Sequence, residues 1–287
     1  MADLDHLISR AEALVSRLED LLPPAAPEPD WSAVAWRWQQ HHGRGHLIAV
    51  AHPHRISLAD LHNIDDQKAE IVRNTRQFLQ SLPANNVLLT GARGTGKSSL
   101  VKALLADFAK QGLRLVEVEK QDLVALPEIV ALIRNRPEHF IVFCDDLSFE
   151  TGEPGYKALK VVLDGSVAAT SDNVLVYATS NRRHLMPEYM SENLETQHLD
   201  GEIRPGDTTE EKISLSERFG LWLSFYPFDQ DEYLKVAQQW LAHYGIRKMT
   251  DEARRAALQF SLMRGSRSGR IAYQFARDYS GKRQLKS

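Results

Sequence analysis

The residues most able to do chemistry lie at positions 91–98, which read Gly-Ala-Arg-Gly-Thr-Gly-Lys-Ser. Glycines at these places let the backbone turn sharply and direct several N–H groups at anionic oxygens. The pattern follows the apolar run NVLLT and precedes VKALLADFAK, so the loop joins a strand to the positive end of a helix dipole. We therefore predict a phosphate-binding loop that holds a nucleotide, formed by Gly91, Ala92, Arg93, Gly94, Thr95, Gly96, Lys97, Ser98 and Ser99.

Within that loop, two side chains have separate expected tasks. The Lys97 ammonium is expected to contact the β- and γ-phosphates of ATP, and the Ser98 hydroxyl to ligate Mg²⁺. ATP and Mg²⁺ are therefore the expected cofactors.

Two carboxylates end another apolar run, HFIVFC at residues 139–144. After a phosphate loop, an acid at such a strand end holds Mg²⁺ through water, and a neighbouring acid orients the attacking water. We assign the metal role to Asp145 and the water-positioning role to Asp146, with Glu150 as a second candidate. Cys144 has no base beside it in the sequence and is interpreted as a buried strand residue.

The elements that must position these residues form an alternating pattern from residue 61 to 228. Apolar strand-like runs alternate with helical patterns, which is typical of a parallel sheet covered by helices on both faces. Beyond residue 228 only helical patterns remain. The predicted fold class is α/β, an αβα sandwich with a five-stranded parallel sheet followed by a small C-terminal helical domain. The expected strands are residues 86–90, 113–119, 139–144, 173–180 and 221–228.

The N-terminal part is predicted to contain a helix over residues 1–22, because apolar residues recur there at helical spacing. Its apolar stripe packs on its own domain or on another chain. A proline-containing linker and a short β-like segment fill residues 23–60, before the nucleotide-binding domain at 61–228 and the helical domain at 229–287. Three tryptophans at positions 31, 36 and 38 are interpreted as core or interface anchors.

Composition excludes several classes of protein. Six of eleven histidines lie between His41 and His62, but their spacing matches no familiar ligand pattern, so no metal site is predicted there. A single cysteine excludes an intrachain disulfide and fits a reducing compartment. No apolar run approaches the roughly 20 residues that span a bilayer, and the acidic N-terminus is unlike a signal peptide. We therefore expect a cytoplasmic protein without a membrane partner.

With both motifs in place, the chain resembles the AAA+ ATPases from about residue 61 to 280. More narrowly, PANNVLLTGARGTGKSSLVKALL, FCDDLSFE and SLSERFGLWLSFYPFDQDEYL are similar to a bacterial family of predicted AAA+ ATPases known only as a domain of unknown function. The resemblance implies ATP hydrolysis at sites completed between subunits of a homo-oligomer, coupled to remodelling of an unknown partner. It also implies that the C-terminal helical domain acts as a lid.

The resemblance implies further site residues. Asn181, or Ser180 beside it, would sense the γ-phosphate, and Arg218 would reach the nucleotide of the neighbouring subunit. Arg270 of the lid would contact the phosphates of its own site, with Arg267 as the alternative. The adenine pocket would include Ile64 and Asp65.

Two departures from the family pattern leave alternatives open. Asp146 stands where many relatives carry glutamate, so turnover is expected to be slow, to depend on a partner, or to be negligible in an ATP-dependent binding switch. Nine acidic residues from Glu188 to Glu217 indicate a mobile loop, either solvated or in contact with a partner. A nucleic-acid module has weaker support, from Arg182, Arg183 and the tail GKRQLK, against a net charge of −3.

Overall fold

The computed structural model describes residues 6–14, 28–41, 44–54, 56–149, 153–164, 172–181, 185, 197–199, 202–204 and 215–285. The helices are α1 (6–14), α2 (Asp65–Leu79), α3 (Lys97–Phe108), α4 (Leu126–Ile133), α5 (Pro154–Asp164), α6 (215–217), α7 (Gln230–His243), α8 (Asp251–Met263) and α9 (Gly269–Gln284). The strands are β1 (Ala35–His41), β2 (Arg44–Ala49), β3 (Val87–Gly91), β4 (Leu113–Val118), β5 (His139–Cys144), β6 (Val174–Ser180), β7 (Gln197–Leu199), β8 (Glu202–Arg204) and β9 (Leu221–Phe225).

The main sheet has seven strands in the order β2-β1-β4-β5-β6-β3-β9. The five strands predicted from the sequence are all present and pair in parallel, so their carboxyl ends meet at one edge. The predicted number of five is too low, because β1 adds in parallel to β4 and β2 follows it in antiparallel. The segment expected to be a linker with a short β-like stretch therefore extends the sheet.

Tryptophan side chains explain why the hairpin joins the sheet. Trp36 and Trp38 alternate along β1 and are 1% and 0% exposed, while Arg37 between them faces the other side and pairs with Glu117 of β4 at 3.0 Å. The Trp36 ring lies 6.0 Å from Phe140 of β5. Burying two indoles supplies a large apolar area, so the core interpretation of these tryptophans agrees with the structure.

Gly45 on β2 makes room for one of those indoles. A Cβ atom at this position would lie 1.8 Å from the Trp38 ring. We expect Gly45→Ala to lower the free energy of unfolding by about 1–3 kcal/mol, the usual cost of overpacking a core. Urea unfolding followed by tryptophan fluorescence measures this. Gly281→Ala is the matched control, because nothing lies within 4 Å of that added methyl and alanine favours a helix interior. Equal stability of the two variants would contradict this packing.

Helices cover both faces of the sheet, as the sandwich prediction requires. One core lies between the sheet and α4 and α5 and includes Leu126 and Leu159. The opposite core lies against α2 and α3 and includes Ile71 and Leu104. The α/β prediction is therefore confirmed, and β3 lies between β6 and the edge strand β9.

The three helices after β9 have a core of their own, which includes Tyr233 and Phe275. The Tyr233 hydroxyl donates to the Ala257 carbonyl at 3.0 Å and joins α7 to α8. Side chains that cap backbone N–H groups begin each helix: Asp229 for α7, Thr250 for α8 and Ser268 for α9. The C-terminal helical region is thus confirmed; the limits set at residues 22, 60 and 228 stay predictions.

Two further segments differ from the expected picture. The described part of the N-terminal helix, residues 6–14, is exposed along its whole length, so it shows no packing on its own domain. Within the acidic segment, β7 and β8 pair as a short antiparallel ribbon that the sequence did not suggest. No helix among the described residues is long and apolar enough to cross a bilayer.

Candidate functional site

The predicted phosphate loop leaves the end of β3 and enters α3. Gly91, Gly94 and Gly96 have φ values of 123°, 79° and 104°, a region that favours glycine. At Gly91 space also matters, because a Cβ atom there would lie 1.9 Å from the Phe225 carbonyl oxygen of β9. The Ala92 amide donates to that same oxygen at 3.2 Å. The motif glycines are therefore required by backbone conformation and by close approach to β9.

Lys97, the first residue of α3, is only 5% exposed. Its Nζ atom donates to the carbonyl oxygens of Gly91 and Ala92, both at 2.7 Å, and to Asn181 Oδ1 at 3.1 Å. Burial lowers the pKa of Lys97 to about 8, although the nearby carboxylates Asp146 and Asp145 act in the opposite direction. The ammonium group is thus held inside the loop, with its charge only weakly retained above neutral pH.

This lowered pKa predicts proton uptake on nucleotide binding. Phosphate oxygens favour the charged amine and raise the pKa of Lys97, so above pH 8 binding must add a proton. At pH 9 we expect net proton uptake on binding and an affinity that falls as the pH rises. Titration calorimetry in buffers of different ionisation enthalpy measures the uptake. Lys97→Arg, which stays charged, should show none; equal uptake in both proteins would exclude Lys97 as the source.

Ser98, Asp145 and Thr179 form a hydrogen-bonded group beside the loop. Asp145 Oδ1 accepts from Ser98 Oγ and from Thr179 Oγ1, both at 2.6 Å. The Thr179 hydroxyl oxygen in turn accepts from the Asp146 amide at 2.8 Å. Hydroxyl and carboxylate oxygens are the hard ligands that Mg²⁺ takes, so Ser98 and Asp145 fit this ion, with water completing its shell. Sequence reasoning missed Thr179, whose signal is its place next to Ser180 at the end of a buried strand.

Asp146 and Asn181 face each other at the ends of β5 and β6. Asn181 Nδ2 donates to Asp146 Oδ1, and Arg93 Nη2 lies 4.0 Å from Asp146 Oδ2. Asp146 has a φ of 54°, a strained conformation for a residue with a side chain, which recurs at functional sites. Ser180, the alternative to Asn181, is fully buried and donates to the Leu147 carbonyl. Glu150 lies outside the described residues.

The helical domain touches the phosphate loop through the start of α9. The Arg270 amide donates to the Gly94 carbonyl at 3.1 Å. A Cβ atom on Gly94 would lie 2.8 Å from Ser268 Oγ and 3.1 Å from Arg270 Cβ, so only glycine allows this approach. Arg270 lines the cleft above the loop, whereas Arg267 is not among the described residues that line it. The geometry therefore favours Arg270 over Arg267.

That cleft has a volume of about 730 Å³ and reaches from the loop to the helical domain. Thr95, Gly96 and Ser99 line it, and so does Ile64, which is 4% exposed and has its Cδ1 atom 3.6 Å from a Cβ placed on Gly96. Asp65 begins α2 beside Ile64. The adenine contact expected of these two residues stays a prediction.

An aromatic group forms the far side of the cleft and was missed from the sequence. Trp240 of α7 and Tyr273 of α9 have ring centroids 4.9 Å apart, and Tyr244 lines the same side. His54 and His62 also line the cleft. Helical periodicity shows that α7 and α9 have apolar faces but does not show which aromatic residue lines a cleft, so this group could not be predicted from the sequence.

Arg218 lies apart from the site of its own chain. Leu221 pairs with Val87 at the start of β3, whereas the loop follows the end of β3, so Arg218 is at the opposite edge of the sheet. Its Nε donates to Asp164 Oδ1 at the end of α5. If Arg218 takes part in catalysis, it must therefore act at the nucleotide site of another subunit.

Comparisons with known proteins were made for sequence and fold. No curated protein matches the sequence. Among solved structures, two mutants of RuvB from Thermotoga maritima match with TM-scores of 0.50 and 0.49 and identities of 15% and 16%. Each match covers 77% of this chain and 63% of the RuvB chain, so this chain spans less than two thirds of their length. At such identities the likeness concerns the fold alone.

A family model described as "Protein of unknown function (DUF815)" matches residues 31–283, which is most of the chain and includes the hairpin that extends the sheet. The phosphate loop, the acidic strand end and the helical domain all lie inside that match. The fold is similar to that of RuvB, and the chain belongs to this family of proteins of unknown function.

Proposed function

We propose that this protein is an ATPase that hydrolyses MgATP at sites completed between subunits of a homo-oligomer. The observation that carries the proposal is the single cleft in which Lys97, Ser98, Asp145 and Asn181 converge on the loop. Arg218 supports the intersubunit part, since it lies at the far edge of the sheet from its own loop.

Each side chain has a defined task in the proposed reaction. Lys97 exchanges its two carbonyl contacts for phosphate oxygens, and Ser98 with Asp145 holds Mg²⁺, which neutralises charge on those oxygens when bound. Asn181 and Asp146 position a water for in-line attack on the γ-phosphorus, with Glu150 as the second acid for this task. The water oxygen bonds to the γ-phosphorus as the bond from that phosphorus to the ADP oxygen breaks, and the water's proton passes to the Asp146 carboxylate. Arg218 from the neighbouring subunit stabilises the charge that develops on the γ-phosphoryl group.

The start of α9 connects the nucleotide site to movement of the helical domain. Arg270 reaches the phosphates while its amide holds Gly94, so a change at the γ-phosphate alters both contacts of the helical domain. This couples hydrolysis to the lid and, through it, to a protein partner. The basic residues Arg182 and Arg183, which gave a nucleic-acid partner its support, lie outside the described residues. A cytoplasmic site of action is part of the same proposal.

A second candidate is a switch that binds ATP with negligible turnover. The contact between Asn181 and Asp146 favours it, because a carboxylate oxygen that already accepts from an amide is less available to accept from a water. Aspartate also reaches less far than the glutamate of many relatives. In this case a partner protein recognises the position that the lid adopts when ATP is bound.

Phosphate release per subunit, measured against protein concentration at saturating MgATP, separates the two candidates. For sites completed between subunits, the specific rate should climb steeply with concentration and then level off, because an isolated subunit lacks Arg218 at its site. A flat rate near zero supports the switch. A substantial rate independent of concentration, with the protein monomeric, would contradict the intersubunit site.

A further inference from the structure

The helical domain carries charge of the opposite sign to the rest of the chain. Residues 229–287 contain twelve Lys and Arg against six Asp and Glu, a net charge of +6. The whole chain has a net charge of −3, so residues 1–228 carry −9. A basic surface on an otherwise acidic protein indicates an anionic ligand for that domain.

Part of this charge surrounds a second cleft, about 420 Å³ in volume, between the turn after α7 and the end of α9. Arg247 and Lys248 come from the turn, and Arg283 comes from α9. No acidic residue is among the described residues that line this cleft, and none of the three cations forms an ion pair with any described residue. Three positive charges thus line one small cleft without a negative side chain among the described lining residues to neutralise them.

The turn that presents two of these cations has a fixed backbone. Gly245 has a φ of 86°, and the Ile246 amide donates to the Leu241 carbonyl at 2.8 Å. Gln238 Nε2 donates to the Arg247 carbonyl at 3.0 Å. An ordered backbone lowers the entropic cost of holding the cations around a ligand.

Ser280 supplies a second, independent indication of a ligand. It lines the cleft, is only 3% exposed, and its Oγ atom has no hydrogen-bond partner among the described residues. Buried hydroxyls are nearly always satisfied, because an unmet one costs roughly 1–3 kcal/mol. The Oγ atom is closed to solvent in this arrangement, so the side chain must turn toward the cleft to meet an acceptor oxygen there. A phosphate offers such oxygens to a hydroxyl and to cations together.

We propose that the cleft of Arg247, Lys248, Ser280 and Arg283 binds a phosphate group, separately from the nucleotide site. The two places lie at opposite ends of α9, since Gly269 approaches the loop and Ser280 lies 11 residues further on. At 1.5 Å per residue they are about 16 Å apart along the helix, so this cleft does not serve the phosphates held by the loop. The phosphate belongs either to a small phosphorylated molecule or to a nucleic-acid strand.

The test uses the full chain carrying Lys97→Ala, so that the loop contributes little to phosphate binding. Pyrophosphate and a short labelled single-stranded DNA are titrated separately. We expect saturable binding of at least one of them that weakens about tenfold or more in Arg247→Ala/Arg283→Ala. The control Arg255→Ala/Arg264→Ala removes the same charge from the same domain outside the cleft and should leave binding within about twofold.

Ser280→Ala separates the site from a general effect of charge or folding. Because its hydroxyl bonds to nothing described, the unfolding midpoint should stay the same or rise, while phosphate binding weakens about threefold to tenfold. If the cleft variants bind pyrophosphate more weakly, the ligand is a small phosphorylated molecule. If they lose affinity for the DNA strand alone, the ligand is a nucleic acid. Absence of saturable binding, or equal losses in cleft and control variants, overturns the proposal.

Discussion

Nucleotide affinity is expected to fall at least about a hundredfold when Lys97 is replaced by alanine. The residue is buried and its ammonium group lies inside the loop, close to the carboxylates Asp146 and Asp145. Each hydrogen bond from a charged donor contributes about 1.5–3 kcal/mol, and 1.4 kcal/mol changes affinity tenfold, so the loss of two such bonds to phosphate exceeds two orders of magnitude. Titration with a fluorescent ATP analogue measures the change.

Lys102→Ala is the matched control for this experiment. Lys102 lies on the same helix, but its Nζ faces Glu117 at 3.7 Å rather than the loop. This variant should bind ATP as the wild type does, and thermal unfolding without nucleotide should show both variants folded. Unchanged ATP affinity in folded Lys97→Ala protein would refute the assignment of the loop.

Loss of hydrolysis with retention of ATP binding is expected for Arg218→Ala. Arginines supplied by a neighbouring protein contribute about 10³–10⁵ in rate in well-studied GTPases, so turnover should fall by at least about a thousandfold. The contact with Asp164 is a partly exposed surface pair, worth about 0–1 kcal/mol, so folding should survive. Steady-state phosphate release and nucleotide binding are measured on the same preparation.

Asp164→Asn and a mixing experiment give this prediction its controls. If Arg218 matters only through its pair with Asp164, Asp164→Asn should reproduce the loss; we expect that variant to hydrolyse ATP. In mixtures of Lys97→Ala and Arg218→Ala subunits, an intact loop can meet an intact arginine across an interface. Activity should therefore return on mixing two inactive proteins. Mixed oligomers that remain inactive would contradict an intersubunit Arg218.

The nucleotide loop and the five parallel strands could be predicted because their signals are local. Loop glycines, the strand before them and the helix after them are adjacent in sequence, and hydrophobic runs report buried strands directly. The hairpin at residues 35–49 was harder to predict, because its pairing with β4 joins residues 80 positions apart in the sequence. Its tryptophans pointed to a core, but periodicity does not say which core they enter.

The residues of the site also divide into those with a local sequence signal and those placed by tertiary packing. Lys97, Ser98 and Asp145 followed from motifs, and the structure brings them together. Thr179 and Trp240 did not, because each acts through a position set by tertiary packing: Thr179 by its bond to Asp145 and Trp240 by its contact with Tyr273. The second cleft could not be predicted from the sequence for the same reason, since α7 and α9 meet there only after the helical domain has folded.

The bond between the Arg270 amide and the Gly94 carbonyl joins the helical domain to the loop through main-chain atoms alone. Apart from proline at position 270, which deletes the donor, no substitution removes either atom. The same amide would report on the position of the helical domain, because its hydrogen exchanges with solvent only when the two parts separate. Deuterium uptake at this one amide would therefore follow such a separation without any label on the protein.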